Sequence, residues 1–161
     1  MADLRAVLTR CGFTDVQTYI QSGNVVFRRT EIADAEPIAA AISDAVEAEF
    51  GFRVPVVVRP LTESARIAES HPGDGGDVPP KFLLVFVLDG ATDPDAQPDP
   101  DSFEPDHWAL GEREVYVTHP NGQGRSKLTI DVFERAFGVT ATARNLNTLR
   151  AIVELARAQG A

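Results

Sequence analysis

The segment that most restricts how this chain folds is Lys81 to Leu88, where Phe82-Leu83-Leu84-Val85-Phe86-Val87-Leu88 runs without a polar residue. The run is far too short to span a bilayer. It shows no alternation and is rich in β-branched and aromatic residues, which predicts a central strand covered on both faces. Such a strand needs neighbours at both edges and layers above and below. A hydrophobic content of 43% over 161 residues supplies enough apolar surface for a core of that kind.

The flanking segments supply the layers. Leu4, Val7, Leu8 and Cys11 recur at helical spacing, and Gly12 ends that helix. Val16–Gln21 and Asn24–Arg28 are β-rich runs around Ser22-Gly23, which suits a two-residue primed turn. Glu36–Phe50 reads as an amphipathic helix with Ile38, Ile42, Val46 and Phe50 inward, closed by Gly51. Val54–Arg59 reads as a strand, with Pro55 near its start or on an edge. Leu61–Glu69 predicts a short helix, and His71–Pro80 a loop. Trp108–Leu110 and Glu114–Thr118 predict a second hairpin through Gly111-Glu112-Arg113. Lys127–Phe137 and Asn145–Ala158 predict the last two helices.

The order helix, strand, strand, helix, strand matches a ferredoxin-like βαββαβ half whose first strand is absent. The expected fold is therefore α+β, mainly antiparallel, with this half packed with a second αβ half. One domain over residues 1–161 is expected, with subregions 1–60 and 61–161 and an acidic loop at 89–106.

Charge narrows the partners. The net charge of -9 opposes indiscriminate binding to DNA or anionic membranes. Residues 107–161 nevertheless hold seven Lys/Arg against five Asp/Glu, a net +2, whereas 1–106 hold eight against nineteen, a net -11. A basic patch in the C-terminal third is compatible with those counts. The single cysteine, Cys11, allows no intrachain disulfide, which suits a reducing compartment. Met1–Arg5 has no apolar core of a signal peptide, so a cytoplasmic place and no membrane are expected.

Five ordered motifs carry a resemblance. They are Met1–Arg5, Gly12–Phe27, Gly51–Arg59, His119–Thr129 (His-Pro-Asn-Gly-Gln-Gly-Arg-Ser-Lys-Leu-Thr) and Thr142–Thr148 (Thr-Ala-Arg-Asn-Leu-Asn-Thr). Together they resemble the bacterial domain-of-unknown-function family numbered 1697. The resemblance implies an α+β fold and no established activity, and nucleic-acid binding is a role suggested for such proteins. It also implies a strand and an Arg/Gly/Asn-containing loop ahead of the segment matching Met1, neither of which stands in this chain. The sheet edge left open would then pair with a second copy as a homodimer.

The chemistry-bearing residues fall into three groups. Gly122, Gly124, Arg125, Ser126 and Lys127 lead into a helix, where glycines admit an anion to the backbone and the cations add charge. The Walker A spacing is absent, and a plain turn with Ser126 as the helix cap fits the same residues. Arg144, Asn145 and Asn147 stand at the next helix start, where Arg reads phosphate and Asn145 either binds or caps. Tyr19, Gln21, Asn24 and Arg28 in the first hairpin, and Tyr116 and His119 in the second, could stack on and read a base. The aromatic and basic run of an RRM platform is missing, and a solvated face fits as well.

Several classes find no pattern. Asp93, Asp95, Gln97, Asp99, Asp101 and Glu104 follow an EF-hand count, but Pro98 stands where glycine is required, so this reads as a solvated acidic loop. His71, His107 and His119 have no ligand spacing with each other or with Cys11, so no metal is expected. No cofactor fingerprint and no catalytic motif is present, and Cys11 reads as core. The leading expectation is a binding domain for a phosphate-bearing partner such as RNA or single-stranded DNA. A small-molecule enzyme or sensor for an anionic metabolite or nucleotide competes with it, as does a protein-interaction module.

Overall fold

A computed structural model describes residues 1–29, 34–69, 79 and 82–160. The loop expected at His71–Pro80, apart from Pro79, lies outside the described residues, as does Lys81. The fold is α+β, with helices packed against two antiparallel sheets. The chain forms two compact units, Met1–Glu63 with Ala151–Ala161, and Ser64–Arg150.

The first unit begins with α1 (Ala2–Arg10), followed by β1 (Thr14–Tyr19), β2 (Asn24–Arg28) and α2 (Ala35–Phe50). Leu8 of α1 and Ile38, Ile42 and Val46 of α2 form a buried cluster with Phe13. Val25, Phe27, Val54, Val56 and Val58 pack against it. The Phe13 and Phe27 rings lie 4.5 Å apart between centroids. Helix α2 is alanine-rich and stops at Gly51, whose φ of 78° is the left-handed conformation that a β-carbon disfavours.

Four local expectations fail in this unit. Cys11 is exposed, because α1 ends at Arg10 and Cys11 is its C-cap rather than another inward turn. Phe50 is exposed for the same reason, as the last residue of α2, and its ring lies 6.2 Å from that of Phe52. The hairpin turns through four residues, since Tyr19 pairs with Asn24. Ile20 takes a positive φ of 49° and is exposed, so strand alternation stops at Tyr19.

The fourth is the strand at Val54–Arg59, which carries no ladder among the described residues. Pro55 has no N–H to give, and no described strand lies in register with the segment. Side-chain contacts hold it instead. The Ser43 hydroxyl donates to the Val54 carbonyl at 2.7 Å, and alternate valines face the helical cluster.

The second unit is built on β3 (Leu83–Leu88), β4 (His107–Leu110), β5 (Glu114–Thr118) and β6 (Ala141–Asn145), in the order β4-β5-β3-β6. β3 is central, antiparallel to both neighbours, and all six of its residues are buried. Its even-numbered residues face one layer. Leu84, Phe86 and Leu88 join Val115, Val117, Leu128 and Phe133 in a core, Phe133 coming from α4 (Ile130–Phe137). The Phe86, Trp108 and Phe133 rings meet edge to face at 5.7 Å. Its odd-numbered residues face the side of Glu114, Tyr116 and Arg144.

β6 is a strand that periodicity missed, because Thr142-Ala143-Arg144 carries too little apolar signal to stand out. Two helices complete the chain's elements, α3 (Leu61–Glu69) and α5 (Leu146–Ala158), and each crosses the boundary between units. The acidic segment 89–106 is pinned rather than loose. Thr92 donates to Gly111 O at 2.6 Å, Trp108 Nε1 donates to Gln97 Oε1 at 3.3 Å, and Phe103 packs edge-on against Trp108. No helix among the described residues is long and apolar enough to cross a membrane.

Candidate functional site

Sheet topology brings two of the sequence-derived groups to one end of the second unit. β3 runs antiparallel to both β5 and β6, so Thr118 stands opposite Leu83 and Asn145 opposite Leu84. Both neighbours therefore leave the sheet at the start of β3. Their exits are separated by the width of one strand, about 10 Å from two inter-strand spacings. One exit opens into the loop from His119 to Thr129, and the other into α5.

That loop spends most of its backbone on itself. Gly122 N–H donates to His119 O at 3.0 Å, and Gln123–Arg125 form a single 3-10 turn. Arg125 N–H and Ser126 N–H donate to Gly122 O and Gln123 O at 3.3 and 3.1 Å. The Ser126 hydroxyl accepts from Leu128 N–H at 2.8 Å. Helix α4 starts at Ile130 with Thr129 as N-cap, so the helix expected from Lys127 begins later, and Ser126 caps a turn instead. Gly122 is needed for its φ of 84°, whereas a β-carbon at Gly124 would meet open space. Arg125 and Lys127 are exposed and make no ion pair among the described residues.

His119 of the second hairpin and Asp106, which spacing did not single out, complete this end. Asp106, 8% exposed, accepts from the Ser126 hydroxyl through Oδ2 at 2.6 Å. Its Oδ1 lies 3.1 Å from Nδ1 of His119, which is 3% exposed. The ring nitrogens of His119 are sealed from solvent, and neither makes an aligned hydrogen bond. A buried polar group left this way costs about 1–3 kcal/mol. Asp106, His119 and Ser126 follow no known spacing. The one signal was Asp106 closing an acidic run just before the β4–β5 hairpin.

The opposite sheet face holds a different polar cluster. Tyr116 and Arg144 both pair with Val85, so they share a face, and Glu114 and Thr142 both pair with Val87. Glu114 is fully buried and takes a bidentate bond from Arg66 of α3 at 2.8 and 3.1 Å. Arg66 is held more firmly protonated by that bond to Glu114. The Tyr116 hydroxyl donates to Glu114 at 3.3 Å, and burial, then Glu114, pushes its phenol pKa well up. A β-carbon on Gly111 would come within 2.1 Å of Glu114 Oε1, which is why that turn position carries glycine.

Arg144 is half-buried, and burial lowers its pKa. Its Nη1 donates to Thr142 Oγ1 at 2.6 Å and to Ala143 O at 2.7 Å. It faces away from the core that Leu128 joins, so sheet face separates it from the end of the 119–129 loop. Asn145 accepts from Thr148 N–H at 2.8 Å, the bond of a helix cap, and Asn147 is exposed in the first turn of α5.

The hairpin residues belong to the first unit. Gln21 is exposed and Tyr19 half-buried, whereas Asn24 is buried and closes the turn by donating to Ser22 Oγ at 2.8 Å and Tyr19 O at 3.4 Å. A groove of about 430 Å³ in the same unit is lined by Ala39, Ala40, Ser43, Val54 and Val56, with no candidate residue among them. Among the described residues, no group of three or more His, Cys, Asp and Glu is placed to hold a metal ion.

No curated protein and no solved structure matches the chain. One family model does match, over residues 1–116, which takes in the first three resembling motifs and stops before the last two. By that match the chain belongs to DUF1697, a family of proteins of unknown function.

Proposed function

We propose that this protein is a cytoplasmic binding domain for a phosphate-bearing partner, RNA or single-stranded DNA, engaged at the sheet end where the 119–129 loop and α5 begin. The observation that carries this is a pair of exposed cations, Arg125 and Lys127, without ion pairs among the described residues of a chain of net charge -9. Surface cations in an acidic protein ordinarily find carboxylates, as Arg10 and Arg53 do here. Asn147 adds an exposed amide at the neighbouring exit. Gly122 and Gly124 keep side chains out of the way, whereas Tyr116 and Arg144, on the opposite sheet face, are not part of this surface.

Fluorescence anisotropy with labelled single-stranded RNA and DNA across a salt series tests this. Binding should weaken as salt rises and fall at least ~10-fold in an Arg125→Ala/Lys127→Ala variant, since each phosphate contact releases counterions. Absence of binding at low salt, for both probes, would sink the proposal.

A second reading, an enzyme or sensor for a small anionic metabolite, draws on the buried Asp106–His119 pair. A carboxylate beside an imidazole is the arrangement from which general bases are made. A third, a module that pairs with a second copy, draws on the ladder-free backbone at Val54–Arg59. Light scattering at rising concentration decides that one.

A further inference from the structure

We propose that Ser126 Oγ and His119 Nδ1 form the floor of a pocket for a terminal phosphate, a position that Asp106 holds while no ligand is bound. This rests on the phosphate-binding reading and narrows its ligand.

The position is already built for an oxyanion. A carboxylate that is only 8% exposed accepts from one hydroxyl at 2.6 Å and faces one imidazole nitrogen at 3.1 Å. Ser126 Oγ is in turn held in place by Leu128 N–H at 2.8 Å before any ligand arrives. The residues on either side of Ser126 are the two cations that no described carboxylate neutralises. Asp106 is bound to the hydroxyl between them and makes no ion pair with either among the described residues. Its own segment, 89–106, has seven acidic residues and no Lys or Arg. That segment therefore delivers a carboxylate to a hydroxyl whose alternative acceptor is the Leu128 carbonyl at 3.3 Å.

The ligand class follows from shape and charge. An internal phosphodiester continues in two directions, which groups as buried as Asp106 at 8% exposed and His119 at 3% do not accommodate. A terminal phosphate has three free oxygens. One can take the Ser126 hydroxyl, one the His119 Nδ1–H, and the third is left for the exposed cations next to Ser126 in the chain, Arg125 and Lys127. As a dianion it also attracts those cations more strongly than a single carboxylate does. Exchange is non-covalent, with Asp106 turning out to solvent as the phosphate enters.

The test compares one oligonucleotide with a 5′-phosphate, the same with a 5′-hydroxyl, AMP, and inorganic phosphate, on the full chain. Wild type should bind the 5′-phosphate form ~10-fold tighter than the 5′-hydroxyl form. Asp106→Asn should raise affinity for the 5′-phosphate form several-fold and leave the 5′-hydroxyl form unchanged. Ser126→Ala should abolish the preference while the Arg125/Lys127 contribution persists. AMP competing at similar concentration assigns a mononucleotide as the source of the phosphate, and failure of AMP to compete assigns a nucleic-acid end. Equal binding of both oligonucleotides by wild type overturns the pocket and leaves the broader reading intact. No binding of any probe overturns both. Should Asp106→Asn melt below wild type by circular dichroism, Ser126→Ala alone decides, since retention of the preference in that variant overturns the proposal.

Discussion

Two valine-rich segments of this molecule meet opposite fates. In the second unit, Leu83–Leu88 has a strand at each edge and every side chain buried. In the first, Val54–Arg59 is equally β-prone, lies against a helical core, and stays half-buried and without a ladder among the described residues. The difference lies in the neighbours and not in the residues. β-propensity measures fit to a pleated surface, and a strand exists only where other backbones accept its hydrogen bonds.

The widest gap should appear in core truncations. Phe133→Ala in the second unit should cost about 3–5 kcal/mol, because a ring that meets Phe86 and Trp108 leaves a cavity. Val56→Ala should cost less than about 1 kcal/mol, as half-buried side chains lose little transfer energy. Urea unfolding measures both, and equal costs would break the comparison. Next, amides of Val85–Val87 should exchange with deuterium at least ~100-fold more slowly than those of Val56–Val58, which make no ladder. Comparable protection would mean that the Val54–Arg59 backbone finds partners in solution.

A smaller effect comes from Tyr116. Its folded pKa is raised above the unfolded one, so its contribution is complete below the unfolded value, near pH ~10, and lost as pH rises toward the folded value. Stability should fall by up to about 1.4 kcal/mol per pH unit in that window. Tyr116→Phe should remove that slope, and an identical alkaline profile in both proteins would contradict burial beside Glu114. The smallest effect is at Cys11. Cys11→Ser should change stability by less than about 0.5 kcal/mol, and the native thiol should react readily with a maleimide. Slow labelling would return Cys11 to the core.

Apolar periodicity made the long elements legible. Ile38, Ile42 and Val46 marked the buried stripe of α2, and the unbroken run ending at Leu88 marked the central strand. Element ends were not legible, because Cys11 and Phe50 continue the period to the last turn of each helix, where the core no longer covers them. β6 escaped notice because a strand lying beside β3 need not be apolar when Thr142 and Arg144 satisfy one another. At the site, Arg125, Ser126 and Lys127 were visible as a local cluster. The pairing of Asp106 with His119 was not, since twelve intervening residues fold back through the β4–β5 hairpin to bring them together. Contacts made by pairing leave no mark in local spacing.

The central place of β3 also sets an order for synthesis. Its β5 partners begin at Glu114 and its β6 partners at Ala141, far downstream in the chain. A nascent chain that has released only Leu83–Leu88 exposes six apolar residues with both edges bare. When β4 and β5 emerge they close one edge, and the other stays open until Asn145 clears the ribosome. Assembly dominated by such distant pairings is slow and prone to association with other chains. Growth temperature and expression rate should therefore govern the yield of folded protein more strongly than its final stability does.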